Sequence, residues 1–84
     1  MDNQNQYFST TSLALAASLI TRTHQQPLTI NWQASKAEFV FKTNNEFDSL
    51  IQLFWKKELP LDCLTYFETL RALKSRLYEE RHAG

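Results

Sequence analysis

The sequence predicts a small α+β domain in which helices pack on one face of an antiparallel sheet. Two neighbouring segments with alternating side chains, residues 28–33 and 37–42, indicate a β-hairpin. Three other segments repeat apolar residues three and four positions apart, as amphipathic helices do. With a short strand at the start, the predicted order is β-α-β-β-α-α, and a sheet covered by helices on one face is the simplest architecture for it.

The first part of the chain predicts a tail, a short strand and a helix. Residues 1–6 are polar and are expected to form a disordered tail, and Tyr7 and Phe8 then give a short β signal. The hydroxyl residues at 9–12 favour a helix start, because their side chains accept the free N–H groups of a first turn. A helix over about residues 11–22 follows. Its apolar face consists of Leu13, Ala16, Ala17 and Ile20.

The two alternating segments predict an antiparallel hairpin with one buried face. Ala34 and Ser35 form the link between them, and because this turn has no glycine its type stays open. The first strand is expected to pair with the hairpin, and the sequence does not decide which edge it joins. The apolar members of the alternation are Leu28, Ile30, Trp32, Ala37, Phe39 and Phe41.

A second helix follows the hairpin. The asparagines at 44–45 can cap it, and Glu46 and Asp48 lie in its first turn, where negative charge is favourable. The proline at position 60 predicts an end at about Glu58. The apolar stripe is Phe47, Leu50, Ile51 and Phe54, widened by Trp55.

The last predicted helix covers roughly residues 63–80, with Asp62 as its cap. Residues 81–84 are expected to fray, so the single domain spans residues 7–80. The apolar stripe of this helix is Cys63, Tyr66, Phe67, Leu70, Leu73 and Leu77.

The amino-acid composition indicates a folded, globular protein. Nine Lys and Arg balance nine Asp and Glu, and 43% of the 84 residues are apolar. Such a mixture is globular, since disordered chains carry fewer apolar groups and more net charge. The balance also excludes a strongly basic nucleic-acid arm and an acidic tail.

Cysteine usage and hydropathy predict a cytoplasmic protein. Cys63 is the only cysteine, so an intrachain disulfide is impossible, whereas secreted domains of this size usually carry several. The stretch Leu13–Ile20 has no basic residue before it and is too short for a signal peptide or a membrane span.

Four segments carry a resemblance to a known family. They read FSTTSLALAA at 8–17, FVF at 39–41, LIQLFW at 50–55 and YFETLRALKSRLY at 66–78. The chain resembles a family of short bacterial proteins defined only as a domain of unknown function. Its members read roughly F-x-T-x-D-L-x-L-A-A, F-x-F, F-W and L-K-S-R-L-Y. The resemblance spans about residues 7–79 and implies the α+β architecture, but it implies no activity and no cofactor.

Three positions depart from the pattern of that family. Ser12 stands where members often have Asp, and His24 stands where Gly is usual. Asp62 and Cys63 replace the more usual Asp-Pro start of the last helix. The acidic residue that members carry at the first helix is therefore absent from this chain.

Catalytic and metal-binding motifs are missing from the sequence. With Gly84 the only glycine, no glycine-rich phosphate loop can form. Cys63 with His24 or His82 is a conceivable nucleophile–base pair, but an apolar helix position suits Cys63 as a small hydrophobic residue. One Cys and two distant His give no metal-ligand spacing. We therefore predict no enzyme activity, no cofactor and no metal.

A binding role is the leading prediction. The large aromatics Trp32, Trp55, Tyr66 and Tyr78 are more than so small a core needs, and Trp and Tyr are favoured interface anchors. The hairpin edge and the end of the last helix offer further contact surface. The sequence therefore predicts a homodimer, built on the last helix or the hairpin edge, that docks a protein partner.

The alternative is a nucleic-acid-associated accessory protein. Arg71, Lys74 and Tyr78 fall within about a 60° arc of the last helix, and Arg76 lies on the other side of its apolar stripe. The pair at 56–57, Lys56 and Lys57, ends the preceding helix. Basic groups interleaved with an aromatic can hold phosphates and stack a base. These six residues are the candidate binding site for nucleic acid or a partner.

Overall fold

Three strands and three helices follow one another in the predicted order within residues 6–83, the part of the chain that the computed structural model describes. The predicted tail at residues 1–6 lies outside this part, except for Gln6. The elements are β1 (Tyr7–Thr10), α1 (Leu13–Thr23), β2 (Thr29–Gln33), β3 (Lys36–Lys42), α2 (Asn45–Trp55) and α3 (Cys63–Ala83).

The sheet has the strand order β1-β3-β2, and both pairings are antiparallel. β1 therefore joins the free edge of β3, the choice that the sequence left open. Phe39 lies opposite Thr10 on one side and opposite Ile30 on the other. The pairing continues beyond β1, since the N–H of Thr43 donates to the carbonyl of Gln6 at 3.0 Å.

The turn between β2 and β3 consists of two residues. Ala34 has φ 57° and Ser35 does not have a positive φ, which is the sign pattern of a type II′ turn. Ala34 therefore adopts the positive φ that glycine usually supplies in such a turn, and two residues close the hairpin.

α1 is the centre of the core. Its residues from Leu15 to Thr21 are all buried, and the helix contacts β1, α2 and α3. Ala16 and Ala17 have no exposed surface, because their small side chains let neighbouring elements approach the helix backbone closely. The rest of the buried apolar core comes from Phe39, Phe41, Phe47, Leu50 and Leu73.

All three predicted N-caps are confirmed. Ser12 Oγ accepts from the N–H of Leu15 at 3.1 Å, and Asn44 Oδ1 accepts from the N–H of Phe47 at 3.1 Å. Asp62 Oδ2 accepts from both the hydroxyl and the N–H of Thr65, at 2.6 and 2.9 Å. These two bonds favour the charged carboxylate and hold the pKa of Asp62 below its ordinary value.

Two helix ends differ from the predictions. α2 ends at Trp55 rather than near Glu58, because Lys57 turns into the left-handed region with φ 62°. The N–H groups of Lys57 and Glu58 donate back to the carbonyls of Phe54 and Leu53, which is a Schellman cap. α3 continues three residues past the predicted end at 80, to Ala83, since no proline or glycine interrupts it. Gly84 lies outside the described residues.

Four residues predicted to lie on apolar faces are exposed, which corrects those assignments. Trp55 is 65% exposed and Phe67 55%, and Cys63 is exposed as well. Phe67 lies about 120° around α3 from buried Leu73, so it points away from the core. Leu28, just before the start of β2 at Thr29, is 59% exposed.

We predict that His24→Gly stabilises the domain. His24 ends α1 in the left-handed region, at φ 60° and ψ 21°, and its N–H donates to the carbonyl of Ile20. A residue with a Cβ atom pays about 1–2 kcal/mol to adopt this region, and glycine avoids that cost. Part of the resulting gain in stability is lost because glycine is more flexible in the unfolded chain. A gain of about 1 kcal/mol corresponds to a rise in Tm of about 4–8 °C, measured by circular dichroism. His24→Ala keeps the Cβ atom and is the control; an equal rise for that variant would contradict this explanation.

Candidate functional site

A groove of about 430 Å³ runs between the β2–β3 hairpin and the C-terminal half of α3. Its apolar floor includes Ala37, Phe39 and Leu77. Three cations and two aromatic rings surround this floor, and we call the site the cationic groove after the cations. They are Trp32, Lys36, Lys74, Tyr78 and Arg81.

Glu80 links the two walls beside this groove. Its Oε1 accepts from the indole Nε1 of Trp32 at 3.4 Å, and its Oε2 accepts from Nε of Arg76 at 3.0 Å. The carboxylate therefore neutralises Arg76 while it orients the half-buried indole. One residue of α3 thus connects the hairpin to the helix by an exposed hydrogen bond.

A second cavity, of about 460 Å³, lies where α2 turns toward α3. Its walls are mostly apolar, and Lys57 is the one charged side chain among the described residues that line it. The Trp55 ring packs edge-on against Phe54, with centroids 5.1 Å apart, and Phe67 lies next to Tyr66 at 6.0 Å. We call this cavity the aromatic cleft. Its lining residues are Ser18, Phe54, Trp55, Lys57, Leu59, Leu61 and Tyr66.

The six predicted site residues are divided between these surfaces. Lys74 and Tyr78 line the cationic groove, and Arg76 lies beside it through its pair with Glu80. Arg71 is exposed on α3 but lines neither cavity. Lys57 lines the aromatic cleft, and Lys56 is exposed at the end of α2. The structure therefore does not gather the six into one basic patch.

Sequence reasoning missed two cations of the groove. Lys36 begins β3 directly after the hairpin turn, and Arg81 lies in the last turn of α3. They are 45 positions apart in the chain, so no local pattern connects them. The hairpin register could have indicated Lys36 as a site residue, because it places Lys36 at the same end of the sheet as Trp32.

The Cys and His residues considered as a nucleophile–base pair include His82, whose side chain lies outside the described part of the structure. Cys63 is exposed in the first turn of α3, and His24 is exposed at the end of α1. Within residues 6–83, no three His, Cys, Asp or Glu side chains are grouped in a way that would hold a metal ion. Across the same residues, no helix combines the length and the apolar character needed to cross a membrane.

Comparison with known proteins identifies a family. A family model described as "Domain of unknown function (DUF5659)" matches residues 5–79, which is most of the chain. No curated protein and no solved structure matches the chain. The resemblance to a domain of unknown function is confirmed over nearly the range from which it was inferred.

Proposed function

The chain belongs to this family of unknown function, and we propose that it is a non-catalytic binding module that works in the cytoplasm. In this proposal the protein forms a homodimer through the aromatic cleft, with a second copy of the chain as the occupant of the cleft, and the dimer docks a protein partner. A single exposed thiol suits a reducing compartment.

The exposure of Trp55 is the observation that carries the proposal. Two-thirds of this large side chain is open to solvent, directly beside an apolar cavity. Phe67 adds a second exposed ring next to Tyr66. Exposed apolar surface of this kind marks interaction sites, and Trp and Tyr are the residues that contribute most binding energy there.

A second copy fits the aromatic cleft because the surface is self-complementary. Each molecule presents both an apolar cavity and a projecting indole on one patch, as a two-fold symmetric interface requires. Lys57 is the one cation on the described lining, so two copies bring little like charge together. Because Trp55 is 65% exposed in the monomer, its burial in the dimer would cover about 100–160 Å² on each copy.

Trp55→Ala is expected to convert the dimer into a monomer. Light scattering and sedimentation at tens of micromolar should give twice the chain mass of 9.9 kDa for the wild type and 9.9 kDa for the variant. Because Trp55 is the last residue of α2 and mostly exposed, the variant should still fold. Its thermal midpoint should not depend on protein concentration, whereas that of the dimeric wild type should rise with concentration.

Tyr7→Ala is the matched control, since Tyr7 is 59% exposed on β1 and lines neither cavity. It should leave the dimer intact. A wild-type protein that stays monomeric at these concentrations would contradict the self-association proposal. A Trp55→Ala variant that remains dimeric would place the interface elsewhere.

A further inference from the structure

We propose that the cationic groove binds single-stranded nucleic acid. Three cations line it, Lys36 from the hairpin and Lys74 and Arg81 from α3, and no acidic side chain is among the described lining residues. None of these three cations is in an ion pair within residues 6–83. Their charges are therefore available to phosphate groups, although the chain as a whole carries no net charge.

Two aromatic side chains in the same groove suit the bases. Tyr78 is 67% exposed at one wall, and Trp32 lies at the other. Bases of a single strand stack on such rings with little sequence preference. The indole Nε1 of Trp32 donates to Glu80 Oε1 at 3.4 Å, and this contact favours one orientation of the ring before binding. This combination of rings and cations distinguishes the groove from a merely charged surface.

The concave shape of the groove favours a single strand over a duplex. A protein reads duplex DNA by inserting a helix or a β-ribbon into the major groove. Here the helix and the hairpin form the walls of a groove with an apolar floor, into which unpaired bases can enter. The inference does not depend on the proposed homodimer, because Trp55 and the aromatic cleft form no part of this site.

Fluorescence anisotropy with a labelled oligothymidine tests the proposal. Binding at low salt should weaken as salt rises, with a logarithmic slope of about −2 if three phosphates are neutralised. Lys74→Glu should weaken binding tenfold or more, and Lys36→Glu on the other wall should reproduce that loss. Lys56→Glu is the matched control, since it changes the charge equally but lies outside the groove, and it should change affinity less than twofold.

The two indole N–H signals in an NMR titration give an independent readout. The signal of Trp32 should shift as oligothymidine is added, and the signal of Trp55 should not. The proposal is overturned if no binding occurs at low salt, if Lys56→Glu weakens binding as much as Lys74→Glu, or if Trp32 does not respond. The proposal is also overturned if a duplex binds more tightly than oligothymidine, or if polyglutamate displaces oligothymidine as well as unlabelled oligothymidine does. Either result would show that the groove does not recognise unpaired bases.

Discussion

Phe39→Ala is expected to cost about 3–5 kcal/mol of folding free energy, because it removes a large side chain from a fully packed site. Phe39 is 1% exposed and lies on β3, the only described strand with a partner on each side. A domain of this length has a total stability of roughly 5–10 kcal/mol, so a large share would be lost. Because Phe39 also forms part of the groove floor, the cavity left behind would loosen that site as well.

Urea unfolding followed by circular dichroism measures this loss. Val40→Ala is the control, since Val40 is the next residue on the same strand, faces the opposite side of the sheet and is only half-buried. We expect it to cost less than half as much as Phe39→Ala. Equal losses for the two variants would mean that the helices do not cover the Phe39 face.

Ala17→Leu is expected to destabilise the domain by overpacking, by about 1–3 kcal/mol or more. Ala17 has no exposed surface and lies in the stretch of α1 that is buried on every side. A larger side chain there has no free volume to occupy, so it forces neighbouring elements apart.

Ala14→Leu is a close control, because it makes the same substitution on the same helix at an exposed position. It should change stability by no more than about 0.5 kcal/mol. Thermal unfolding of both variants tests this prediction. If Ala17→Leu is as stable as Ala14→Leu, the residues around α1 are not tightly packed.

The sequence correctly predicted those structural features that depend on residues close together in the chain. The alternation that ends in Phe39 and Phe41 predicted a buried face, and Ser12, Asn44 and Asp62 predicted three helix starts. Each of these features depends on residues within a few positions of one another.

Features that depend on distant contacts could not be predicted. The burial of Trp55 and Phe67 depends on which sides of α2 and α3 pack against the core. Their apolar character predicted that both are buried, and both are exposed. Likewise, the groove exists because the hairpin lies beside the end of α3, which brings Lys36 near Arg81. The helical spacing of Lys74 and Tyr78 revealed only one wall of that groove.

The strand order also has a consequence for the folding pathway. β2 and β3 are joined by two residues, whereas the pairing of Tyr7 with Lys42 closes a loop that contains all of α1. Closing a long loop is slower and costs more entropy than forming a tight hairpin. The hairpin should therefore nucleate early and recruit β1 last, and amide protons bonded between β1 and β3 should exchange with solvent faster than those inside the hairpin.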